Sequence, residues 1–229
     1  MKSLMRAFLL IAAASALLAP SARAQTEQLK FVDGSGVGFN GVQVGPYRGM
    51  LLSEPGSPTI DIYCVDYLHE ITVNTVWTAN ESSLAGNLSK TRLGEGFGVS
   101  GISWYGADDV FTRYRKAAWL TTQFAIQNTS AWGGIHSAIW LLTTPNYSTN
   151  LPSAFVSAAA YWITQANANY TTIDPNSYVI LTDVNTTGFT NGVQEYLMVT
   201  PEPQTIVLLG SGIAVLYAAR RRRRLQVST

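Results

Sequence analysis

Side chains able to ligate a cation or move a proton gather in one short stretch: Asp61, Cys64, Asp66, His69 and Glu70. On a strand, residues two apart share a face, so Cys64 and Asp66 point together while Asp61 and His69 fall on the other side or past the strand end. No ligand spacing recurs. The expectation is a solvated strand end without a metal, and calcium on Asp66 and Glu70 is the alternative. The other histidine, His136, stands with Trp132 and Trp140 in a row four residues apart, the spacing of one helix face. No serine-centred turn or neighbouring acid marks a catalytic triad, so His136 reads as packed among aromatics and no catalytic residue is assigned. Gly36-Val37-Gly38-Phe39-Asn40-Gly41 fits the dinucleotide-binding fingerprint letter by letter. The next residues, Val42-Gln43-Val44-Gly45-Pro46, cannot form the helix whose N-terminus would hold a pyrophosphate. These glycines predict a turn, and no cofactor is expected.

The elements around these residues predict an α+β domain. Leu29–Val32, Gly38–Val44, Tyr47–Leu52, Thr59–Val65 and Glu70–Trp77 have the β-branched and aromatic composition of half-buried strands. From Thr78 to Ala107 the chain is rich in Asn, Ser and Gly and reads as loop. The period then changes. Asp109 can cap a helix from Val110 to about Gln127, Ser130 a second over Ala131–Leu142, and Ser153 a third from Ala154 to about Ala168. Strands return at Tyr178–Leu181 and Val193–Val199. The expected fold is an antiparallel β-sheet or sandwich with an inserted or packed group of about three helices, the helical part covering about 110–168.

Both ends read as addresses. Lys2 and Arg6 precede an apolar stretch from Ala7 to Ala19, and Ser21-Ala22-Arg23-Ala24 closes it with small residues, which predicts a secretory signal over 1–24 cleaved by signal peptidase after Ala24. At the other end Pro201-Glu202-Pro203 holds an extended, accessible backbone. An apolar run, Thr205–Ala219, spans about 22 Å as a helix, marginal against roughly 30 Å of hydrocarbon. Arg220, Arg221, Arg222, Arg223 and Arg224 then keep the terminus cytoplasmic. Taken in this order, residues 200–229 resemble the PEP-CTERM sorting signal of Gram-negative bacteria. That resemblance implies recognition by exosortase, an intramembrane cysteine transpeptidase, with cutting near Pro-Glu-Pro and a transient stay in the inner membrane. It further implies a place at the cell surface or in the extracellular matrix, with exopolysaccharide or biofilm as the setting.

Removing both ends changes the charge. Of fifteen basic residues the signal region holds three and the tail five, and of fourteen acids only Glu202 leaves, so seven basic residues face thirteen acids and the domain of residues 25–199 carries −6. Such a domain repels phosphate backbones, which argues against nucleic-acid binding. With one cysteine it forms no internal disulfide.

Ile62-Tyr63-Cys64-Val65-Asp66, then Ala117-Ala118-Trp119-Leu120 and Ser137-Ala138-Ile139-Trp140, resemble thioester-type adhesin domains over Ile60–Leu142. In that pattern a cysteine is joined to a glutamine just before an Ala-Ile-Trp helix, making an electrophile for an amine on a partner surface. Cys64 matches the cysteine. Aligning on Ala138-Ile139-Trp140 places His136 where glutamine belongs, and Gln123 is the alternative acyl donor. The expectation is a shared fold without the bond, Cys64 being a buried small hydrophobe. A covalent adhesin using Cys64 and Gln123 competes with it, and a secreted hydrolase with His136 as base is a third reading. Among the Asn-Xaa-Ser/Thr triplets, Asn185 has an acid, Asp183, two positions before it and is the glycosylation candidate.

Overall fold

Alternating burial runs through β1 (Thr26–Asp33), where Glu27, Leu29 and Phe31 point inward. The same alternation aligns β4 (Tyr47–Leu51), β5 (Thr59–Cys64) and β6 (Val76–Ser83) around a common interior. This computed structural model describes residues 26–200. The expected signal sequence, Pro201–Pro203, the apolar run 205–219 and Arg220–Arg224 lie outside the described residues. Within them, β7 (Tyr178–Asp183) and β8 (Tyr196–Val199) complete a closed antiparallel barrel in the order β1-β4-β5-β8-β7-β6. The expected α+β class and antiparallel pairing hold. The sheet is a closed barrel and not a sandwich: β1 pairs with β6 as well as β4, so the sheet closes on itself and leaves no free edge.

A small hairpin, β2 (Gly38–Phe39) and β3 (Val42–Gln43), turns at Asn40-Gly41. Both turn residues have positive φ, 48° and 86°, as the two-residue turn that matches strand twist requires. Of the fingerprint glycines Gly41 makes the turn and Gly38 lies in β2, so the continuous strand expected over Gly38–Val44 is broken at Asn40-Gly41.

Strand β6 departs from the sequence reading. It begins at Val76, where the reading placed Glu70–Trp77, and runs through Ser83 into the stretch read as loop. Asn80, Ser82 and Ser83 have poor strand propensity, but pairing overrides it: Asn80 lies between β1 and β7, and Ser82 and Ser83 pair with β7.

Between β6 and β7 the chain inserts its helices. The three expected ones are α2 (Val110–Gln123), α3 (Trp132–Thr143) and α5 (Ser153–Asn169), joined by the short α1 (Arg92–Gly96) and α4 (Tyr147–Asn150). Asp109 caps α2 as expected, its carboxylate accepting the Thr112 N–H at 2.7 Å. Ser130 and Ser153 do not cap: a 3₁₀ turn over Thr129–Ala131 leads into α3, and Pro152 precedes α5. Buried on nearly every side, α3 lies between α2 and α5. Gly133 and Gly134 permit that crowding, since a Cβ on Gly133 would lie 2.4 Å from the Phe39 ring and one on Gly134 2.8 Å from the Trp162 indole. Among the described residues no helix is long and apolar enough to cross a membrane.

All six residues of β7 are buried, because the barrel interior covers one face and the helical layer the other. Leu197 of β8 is fully buried and opposes Tyr63 of β5 and Ile180 of β7. Leu197→Ala is expected to lower unfolding free energy by about 2–5 kcal/mol. Urea denaturation checks this, and a loss below about 1 kcal/mol would contradict the closing role given to β8.

Candidate functional site

The sequence-predicted chemistry converges where β5 ends against α3. His136 is fully buried. Its Nδ1 accepts the Gly45 N–H at 2.9 Å, so Nε2 carries the proton and donates to the Cys64 carbonyl, also at 2.9 Å. Both ring nitrogens are thereby used in tying α3 to the β3–β4 connection and to the end of β5. Around the ring pack Trp140, stacked at 4.3 Å, Phe124 and Tyr47. Burial lowers the pKa of His136 from 6.5 to about 4. A neutral imidazole with no free nitrogen and no water access is a structural joint; as a base it has nowhere to take a proton from.

Cys64 is buried and its thiol is free. Its S–H donates to the Asp66 carbonyl at 3.1 Å. Burial, reinforced by the neighbouring Asp66 charge, pushes the thiol up to about 12, far from the thiolate a nucleophile needs. The Gln123 amide is engaged elsewhere, donating to the Thr122 hydroxyl at 2.9 Å. Cys64 and Gln123 thus have separate partners in the fold.

Asp66 corrects the expected solvated strand end. It is buried, its carboxylate accepts the Leu68 N–H at 3.0 Å and meets His69 Nδ1 at 2.8 Å, and it forms an ion pair with Arg92, Nε lying 2.8 Å away. Arg92 is equally buried, and its Nη2 donates to the Asn191 and Val193 carbonyls, both at 2.8 Å. One guanidinium therefore ties the exit of β5, α1 and the loop before β8 together. Among the described residues, no group of three His, Cys, Asp or Glu side chains is placed to hold a metal ion.

Beside this pair lies Glu195, fully enclosed between the barrel wall and the helices. It accepts the Arg92 N–H at 2.8 Å, the Thr182 hydroxyl and the Tyr114 hydroxyl. Burial lifts its pKa from 4.5 to about 7 against the pull of those three donors. The sequence reading passed over Glu195, Arg92 and Tyr114. A signal existed for Glu195: at period two it shares the face of buried Leu197, where an unpartnered acid could not remain.

Asn185 is exposed just after β7, with its amide donating to Asp183 at 3.0 Å. Pro201, Glu202, Pro203 and Arg220–Arg224 lie outside the described residues, and here comparison with known proteins decides. The family model of the PEP-CTERM protein-sorting motif matches residues 199–224. The chain carries a PEP-CTERM sorting motif. No curated protein and no solved structure matches the chain. The motif marks an exported, exosortase-targeted protein, and its match begins inside β8. The likeness to thioester-type adhesins finds no support in these comparisons.

For this PEP-CTERM protein the two buried titrating groups set opposite pH dependences. Glu195 is protonated in the fold but ionised in the unfolded chain between pH 4.5 and about 7, so its contribution is full at low pH and is lost as pH rises through that window. His136 behaves oppositely: unfolded it protonates below 6.5 and folded only near 4, so its contribution is full above 6.5 and is lost as pH falls. Each amounts to about 3 kcal/mol, and the two slopes largely cancel. Glu195→Gln should therefore expose a stability that rises between pH 4.5 and 6.5, and His136→Gln one that falls, relative to the native protein in urea titrations. Parallel profiles for all three proteins would contradict the assignment. Intact-mass measurement of the purified domain should give the unmodified sequence mass; a deficit of one ammonia that disappears in Cys64→Ala would establish the thioester instead.

Proposed function

We propose that this protein works beyond the inner membrane, as a cell-surface or extracellular-matrix component whose tail is trimmed by exosortase. Its barrel domain binds or packs within an exopolysaccharide or biofilm matrix and catalyses no reaction. The sorting motif at residues 199–224 carries the reading. The chain passes through the secretion machinery, is held briefly in the inner membrane by the apolar run and the arginines, and is then processed near Pro201-Glu202-Pro203.

What the domain offers supports a binding or structural role. The side chains with reactive potential, Cys64 and His136, are sealed in packing. Trp104, Tyr105, Tyr147 and Tyr170 are partly exposed, and aromatic side chains are the kind on which sugars stack. Trp104 is braced by Phe189 at 5.4 Å and by the Arg113 guanidinium at 5.1 Å, and Tyr105 meets Tyr147 edge to face at 5.3 Å. Rings held in this way lose little freedom when a ligand docks. The net charge of −6 on residues 25–199 turns the domain away from nucleic acid.

Replacing Pro201, Glu202 and Pro203 together by alanine should block tail trimming in the native host and leave a membrane-retained, full-length protein after signal removal. Immunoblotting of fractionated cells reads this directly. Trimming at the native rate would refute the sorting reading.

A further inference from the structure

The sorting motif and the folded domain share residues. The matched motif starts at Val199, which is also the final residue of β8 and the register partner of Tyr178 on β7. Thr200 is held as well: its N–H donates to the Ser177 carbonyl at 2.9 Å, and its hydroxyl reaches the Asn176 carbonyl at 3.4 Å. The turn that supplies both carbonyls is itself ordered. Asp174 accepts the Asn176 N–H at 3.0 Å and the Asn176 side-chain amide at 2.9 Å, fixing a 3₁₀ turn over Pro175–Ser177. Only four residues, 201–204, separate this clamp from the apolar run that begins at Thr205.

A peptide-cleaving enzyme takes its substrate as an extended backbone whose N–H and C=O groups are free to pair with it. At Thr200 the N–H is spent on the Ser177 carbonyl in the turn before β7, and Val199 beside it is the last register partner on β7, opposite Tyr178. Peptide bonds in such places are reached through local opening, at a rate set by how often the segment leaves the sheet. On the other side β8 is less constrained, since its pairing with β5 stops at Met198. Release of the last two residues from β7 therefore frees them without opening the barrel.

We propose that the barrel restrains its own sorting signal: trimming waits for Val199 and Thr200 to come off β7, so the stability of this clamp sets how long the protein stays in the inner membrane. This inference rests on exosortase processing of the tail. The test tracks conversion of full-length to trimmed protein by pulse-chase in the native host. One variant inserts an eight-residue Gly/Ser spacer and a second Val-Thr pair between Thr200 and Pro201, so that the motif is complete outside the fold while the native clamp stays in place. It should be trimmed about tenfold faster, the equivalent of freeing one or two backbone hydrogen bonds. Asp174→Ala loosens the turn without lengthening the chain and should accelerate trimming severalfold, but should add nothing in the spacer background. Equal rates for native and spacer proteins would overturn the clamp. Acceleration by the spacer but not by Asp174→Ala would replace it with simple crowding at the membrane. Absence of any trimming in the native chain would instead remove the sorting reading beneath it.

Discussion

In a closed antiparallel barrel every strand pairs on both sides, and β8, between β5 and β7, is the last strand in chain order to take its place. Its partners lie far apart in the chain, because the whole helical insertion separates β6 from β7. Without β8, β4 and β5 would extend from one side of β1 and β6 and β7 from the other, each ending in an open edge. The chain must order the long insertion before the reward of that pairing arrives, which places much of the closure entropy on a strand of four residues.

The buried polar groups gather around that closure. Glu195 precedes β8, accepts from α1 and α2, and through its carbonyl receives the Val65 N–H at 3.0 Å. Arg92 fastens the loop before β8 to Asp66 after β5. His136 joins α3 to the end of β5. These contacts supply direction where apolar packing is indifferent to register: a one-residue slip of β8 would bring Glu195 inside the barrel and take Tyr196 away from Phe31, Tyr47 and Trp77. A buried polar network that is satisfied in one arrangement only narrows the choice of fold.

Export gives this economy a context. A chain with one cysteine has no internal disulfide to hold it outside the cytoplasm, so its stability rests on packing and on the enclosed network. The matched sorting motif begins at Val199, the last residue of β8, beside Thr200, whose N–H is held by Ser177.

From the sequence alone came the C-terminal sorting motif, the α+β class, the three longer helices, a turn among the glycines before Val42 and the packed character of His136. Each depends on local order along the chain: charge beside an apolar run, apolar period, turn chemistry. The extension of β6 through Asn80 to Ser83 was not legible, since pairing with β7, joined by β1 as far as Asn80, overrode weak propensity. Nor was the burial of Asp66, because its partner Arg92 stands in a stretch that reads as loop. Barrel closure and the joining of Asp66, Arg92 and Glu195 were decided only in the tertiary structure. They are contacts between segments remote in sequence, whose free energy appears when the helical insertion folds back and water leaves the space between.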